Sequence, residues 1–112
     1  GIAHRLIEAK GIPTTLKTRL IGRAQQLLRV DRESKAPLAP EESRKLVEFL
    51  REFKPHAVIL SDYAKGVVNP VLAEELKKLK IPTFVDPRPQ NTTLYRGFTC
   101  ITPNLKEFEQ MK

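Results

Sequence analysis

The feature that most constrains this chain is a change of hydrophobic rhythm at Pro40. Before it, Leu16, Thr18 and Leu20 alternate with Thr15, Lys17 and Arg19, the period of two expected of a β-strand. After it, Leu46, Val47, Leu50 and Phe53 recur at helical spacing, and so do Leu72, Leu76 and Leu79. Between and beyond those stripes lie short apolar runs: Ala57 to Leu60, IPTFV at 81–85 and FTCIT at 98–102. Short apolar runs alternating with helical stripes imply a parallel sheet, because consecutive parallel strands need a crossover that a helix supplies. The expected fold is α/β, with strands near 57–61, 82–86 and 98–102. Strands of that kind are buried on both faces, so a three-layer arrangement is expected.

Local punctuation divides the chain further. Thr15 to Ile21 and Gln26 to Asp31, joined by Gly22, Arg23 and Ala24, predict an antiparallel hairpin within residues 14–32. Residues 33–40, ESKAPLAP, form a proline-bearing connector, and residues 41–112 hold the βα units. Pro40 loses no hydrogen bond at a helix start, and Glu41 and Glu42 suit the positive end of the helix dipole. Lys54–Pro55 ends that helix. Asn69–Pro70 offers a cap and an N1 proline for the next, and a last helix begins near Asn104.

Length and composition narrow the function. A chain of 112 residues has room for one modest core. No apolar run approaches the length of a membrane span, and the first ten residues do not read as a signal peptide, so the expectation is a cytoplasmic protein with no membrane partner. The lone Cys100 rules out an internal disulfide framework or a multi-cysteine zinc site, and inside an apolar strand it reads as a buried thiol. The net charge is +7, and residues 1–32 hold seven basic side chains against Glu8 and Asp31. That basic stripe could meet nucleic acid or a small phosphorylated ligand, or simply be a solvated face. Trp is absent and no interleaved aromatics accompany the cations, so nucleic acid is not the expected partner.

In open parallel sheets, ligands bind beyond the carboxyl ends of the strands. The first expected strand is followed by Ser61, Asp62, Tyr63, Ala64, Lys65 and Gly66; the second by Asp86, Pro87 and Arg88; the third by Pro103, Asn104, Leu105, Lys106 and Glu107. Three strands in turn bring carboxylates, cations and an amide to one edge. Each piece also has a plain structural explanation. Asp62 and Asp86 suit turns, and Asn104 with Glu107 has the spacing of a capping box, in which Gln would serve as well as Glu. No Walker A loop, GxGxxG or GxSxG is present.

The runs TTLKTRLIGRAQQLLRVDRE (14–33), VILSDYAKGVV (58–68), VDPR (85–88) and LYRGFTCITPNLKEFEQM (94–111) resemble the ribokinase-like (PfkB-type) carbohydrate kinases, and among them those acting on heptose 7-phosphate. The resemblance implies a partial ribokinase-like sandwich and phosphoryl transfer from ATP, with magnesium, to O1 of the sugar phosphate on the route to ADP-heptose for lipopolysaccharide. By position it makes Asn104 and Glu107 the residues that organise magnesium and ATP phosphates, with Lys106 a phosphate contact. Asp62, Lys65, Asp86 and Arg88 then line the substrate crevice. Most relatives carry Lys at the position of Arg88, a change that adds bidentate phosphate geometry. The family's Gly-Ala-Gly-Asp run, source of the catalytic base and anion hole, does not occur in these residues, and neither does its N-terminal glycine-rich substrate motif. The chain therefore reads as the middle of a kinase domain, inactive alone, whose open sheet edges favour a homo-oligomer. Two other functions are open at this stage: a non-catalytic phosphate- or nucleotide-binding module, and a basic nucleic-acid-binding domain.

Overall fold

A computed structural model describes residues 1–112. Strands β1 (Leu16–Gly22) and β2 (Gln25–Arg32) form an antiparallel ribbon; helix α1 (Pro40–Phe53), strand β3 (Val58–Ser61), helix α2 (Pro70–Lys78), strand β4 (Thr83–Asp86), a 3-10 segment (Pro89–Tyr95), strand β5 (Cys100–Ile101) and helix α3 (Leu105–Met111) follow. β3, β4 and β5 are parallel neighbours in that order.

The helix boundaries follow the local chemistry. Pro40 opens α1 with Glu41 and Glu42 in its first turn, and Lys54, in the left-handed region at φ 50°, closes it. Asn69 caps α2 by accepting the Leu72 N–H at 2.9 Å, while its own amide donates to the Ser43 hydroxyl at 2.9 Å and so ties α2 to α1. The ribbon turns at Arg23 and Ala24, both with positive φ, which matches the twist a two-residue hairpin turn requires.

The core has two joined parts. Val47, Leu72 and Leu76 pack between the helices, and Val68, Val85 and Tyr95 pack behind the sheet; Leu60 and Phe98 touch both. Truncating a buried leucine such as Leu72 to alanine costs about 2–5 kcal/mol.

One expectation is corrected. The strands are not buried on both faces: Ile59 is 81% exposed and its neighbour Phe84 40%. The helices pack on the side of Leu60 and Val85, and the opposite face, carrying Ile59, Phe84 and Cys100, is bare. Sheet and helices thus make two layers of a sandwich. Cys100 is exposed for the same reason. The ribbon is also open, one face carrying Leu16, Leu20, Leu28 and Val30, each about half exposed.

Candidate functional site

The parallel register aligns the ends of the strands. Ser61 stands beside Asp86, and the Ser61 hydroxyl donates to the Asp86 carboxylate at 3.3 Å. Two residues beyond β4, Arg88 reaches across to α3 and its Nη1 pairs with Glu107 Oε1. The guanidinium lies 5.5 Å from the Tyr63 ring centroid, so an aromatic face covers it on one side.

Glu107 is 8% exposed and uses both oxygens. Oε1 meets Arg88, and Oε2 accepts the Asn104 N–H at 3.0 Å while Asn104 Oδ1 accepts the Glu107 N–H at 2.9 Å. The capping box is therefore complete, and the same carboxylate is also half of an ion pair.

Asp62 is 2% exposed, and its carboxylate faces inward. Oδ1 accepts the Ala64 N–H at 2.7 Å; Oδ2 accepts from Asn91 at 2.7 Å and from the Tyr95 hydroxyl at 2.6 Å. Burial, and then the hydrogen bond to Asp62, push the Tyr95 phenol well above its ordinary range, so it remains a donor at physiological pH. Lys65 stands apart, paired with Glu33 at the base of the ribbon, and its hydrogen bond holds the Glu33 carboxyl below its ordinary value. Lys106 is exposed beside Asn104.

Of the seven residues expected at the site, Arg88, Asn104 and Glu107 are in direct mutual contact or adjoin it by the capping box. Asp86 lies at the same edge, Asp62 is behind it, and Lys106 is exposed two residues from Asn104, whereas Lys65 is not brought to the site, being paired with Glu33. Pattern reading misses Tyr95, Asn91 and Tyr63. Tyr95 and Asn91 lie in the 3-10 segment, which has no periodic signal, and Tyr63 gives no sign of which cation it covers.

The largest cleft, about 460 Å³, lies elsewhere, lined by Lys35, Gly66, Asn69 and Asn91 among others. Its two asparagines are already engaged, Asn69 with Leu72 and Ser43 and Asn91 with Asp62. The convergent charges, rather than the volume, mark the candidate site.

No three carboxylate, histidine or cysteine side chains converge to cage a metal. Both Glu107 oxygens are already engaged, by the Arg88 guanidinium and the Asn104 N–H, so Glu107 and Asn104 would hold a magnesium ion only through its bound water.

The chain is similar to part of the proteins named bifunctional protein HldE. That of Desulfatibacillum aliphaticivorans is 44% identical over 111 residues, covering 94% of this chain and 23% of the relative. That of Granulibacter bethesdensis is 41% identical over 113 residues, 96% and 23%, and that of Geobacter sulfurreducens 37% over 110 residues, 93% and 22%. The chain spans about a quarter of the length of these curated relatives. No protein-family model matches it. No helix is long and apolar enough to cross a membrane.

Proposed function

We propose that this chain is the central part of an ATP-dependent sugar kinase, the kinase portion of an HldE-type protein, transferring phosphate to O1 of heptose 7-phosphate in the cytoplasm. The observation that carries the reading is the contact of Arg88 with the capped Glu107 at the carboxyl edge of a parallel sheet, in a segment that aligns with HldE proteins over nearly its whole length. Phosphoryl transfer rests on positioning and charge stabilisation more than on covalent chemistry from the protein.

Arg88 supplies a planar, permanent cation able to hold two phosphate oxygens. Magnesium would be held here by Glu107 and Asn104 through its bound water, and Lys106 would add positive charge beside it. Magnesium, when bound, neutralises the ATP phosphates. Asp86 is the remaining carboxylate at the edge and orients substrate hydroxyls. The proton of the attacking hydroxyl goes to a base in the Gly-Ala-Gly-Asp run of the family, which is not among these residues.

The test is a chimera in which this chain replaces the aligned segment of the Desulfatibacillum aliphaticivorans protein. We expect ATP consumption that depends on heptose 7-phosphate, with none from the chain alone. A folded chimera without sugar-dependent turnover overturns the kinase reading, and if it still binds ATP it favours a non-catalytic nucleotide-binding module. Turnover by the isolated chain within about a hundredfold of the chimera overturns the placement of the base, because removing one stabilising donor alone costs that much. The open ribbon and sheet edges further support self-association, which light scattering reads directly; a strict monomer at high concentration refutes it.

A further inference from the structure

We infer that Asp62 and Tyr95 are positioning residues for Arg88: they hold the main chain of the cation in place and do not touch the ligand. The inference rests on the reading of Arg88 as a phosphate contact. It starts from a single phenol oxygen. Tyr95 donates to Asp62 at 2.6 Å, which leaves its lone pairs to accept the Arg88 N–H at 2.9 Å. The short distance to a carboxylate assigns the hydroxyl proton to Asp62 rather than to the Arg88 carbonyl at 3.2 Å. Asp62 thereby fixes the direction in which Tyr95 accepts.

Asp62 is itself immobilised. Three donors converge on its carboxylate, and its own N–H donates to the Asp86 carbonyl at 3.0 Å, at the point where the chain leaves β4. The Tyr95 ring is buried against Val68 and Val85. The segment Asp86–Pro87–Arg88 is thus held at its start by Asp62 and at its end by Tyr95. Tyr63, adjoining Asp62, then covers the guanidinium, and Glu107 orients it. A long side chain with four rotatable bonds is held at its root, its face and its tip. An arginine so held keeps its fork aimed at an anion and loses little further freedom on binding.

Asp62 sits at a strand end among charged residues, where a carboxylate is readily taken for a ligand or a base. Its burial and its three donors make it instead the anchor of a hydrogen-bond chain that ends at Arg88.

The test is a double-mutant cycle on the full chain, with magnesium–ATP as the probe and calorimetry as the readout. Tyr95→Phe keeps the ring in the core and removes only the hydroxyl. It should weaken ATP binding about three- to tenfold, the size of one hydrogen bond, while Arg88→Met weakens it further. The double variant should bind no worse than Arg88→Met alone, since Tyr95 acts only through Arg88. Asp62→Asn, which keeps an acceptor for Ala64, should shift affinity in the same direction if Tyr95→Phe folds poorly. Additive losses in the double variant, or wild-type affinity in a folded Tyr95→Phe, overturn the inference. If Arg88→Met leaves ATP binding unchanged, the phosphate-site reading fails instead. Exchange of the Arg88 guanidinium N–H protons, read by NMR without ligand, then decides the positioning: faster exchange in Tyr95→Phe supports it, and unchanged exchange overturns it.

Discussion

Replacing Glu107 by glutamine exposes the double use of that carboxylate. As a capping residue alone, Gln substitutes well for Glu, because its carbonyl oxygen can accept the Asn104 N–H. The structure predicts otherwise, because donors approach both oxygens: the Asn104 N–H on Oε2 and the Arg88 guanidinium on Oε1. A glutamine can offer its oxygen to one of them, and its amide then faces the other donor to donor. A hydrogen bond to a charged group is worth about 1.5–3 kcal/mol, and an unpaired buried polar group costs a similar amount. Arg88 is one-third exposed, so water recovers part of the loss and about 2 kcal/mol is the expected net cost. For a domain of this size that corresponds to a melting temperature lower by about 8–16 °C. Thermal denaturation of the wild type, Glu107→Gln, Arg88→Met and the double variant checks the arithmetic. Arg88→Met removes the competing donor, so the double variant should lose less than the sum of the singles. A Glu107→Gln variant that melts with the wild type, or purely additive losses, refutes the shared-carboxylate argument.

Three further outcomes follow from the same geometry. Glu33 is held below its ordinary value of 4.5, chiefly by the hydrogen bond from Lys65, so the tether at the base of the ribbon is present above pH 4.5 and is lost as pH falls through the lowered value; Lys65→Met should flatten that acid limb in a pH–stability profile. Asn69→Ala removes both the α2 cap and the link to Ser43 and should cost about 1–2 kcal/mol, read by chemical denaturation, whereas Asn69→Asp keeps the cap and should cost less. Gly66 sits at φ +87° with the connector backbone against it, a Cβ there meeting the Ala36 carbonyl and lying 2.9 Å from Pro37 Cα; Gly66→Ala should therefore destabilise by more than about 1 kcal/mol and loosen residues 36–38 in hydrogen exchange.

The legible parts of this fold were those encoded by neighbours in sequence. Pro40, Lys54, Asn69 and Asn104 each mark a helix end within a residue of its observed place, because capping is chemistry over three or four positions. The alternation of Leu16, Thr18 and Leu20 announced the ribbon, and the turn fell where Gly22, Arg23 and Ala24 put it. Where the apolar run 98–102 suggests five residues of strand, only Cys100 and Ile101 are paired in register with β4, although the Thr99 and Thr102 N–H groups also bond β4 carbonyls. The bare sheet face is not legible in the sequence, because apolar composition reports what a strand can bury and not whether anything lies across it. Ile59 and Phe84 have the composition of buried residues and the exposure of surface ones.

The candidate site divides along the same line. Asn104 and Glu107 are legible because a capping box has a fixed spacing of three residues. The pairing of Arg88 with Glu107 was not visible, because it joins residues 19 apart and depends on β4 and β5 running parallel in register. Least visible was the role of Asp62. Its sequence context, a carboxylate after a strand and three residues before a lysine, is equally that of a ligand and that of a turn. The difference is made by Tyr95, 33 residues away on a segment without periodicity, whose hydroxyl donates to the buried carboxylate. A buried carboxylate needs its donors, and here one of those donors also holds the main chain of the cation. The physical constraint that hides Asp62 from solvent is therefore the same one that couples it to the site.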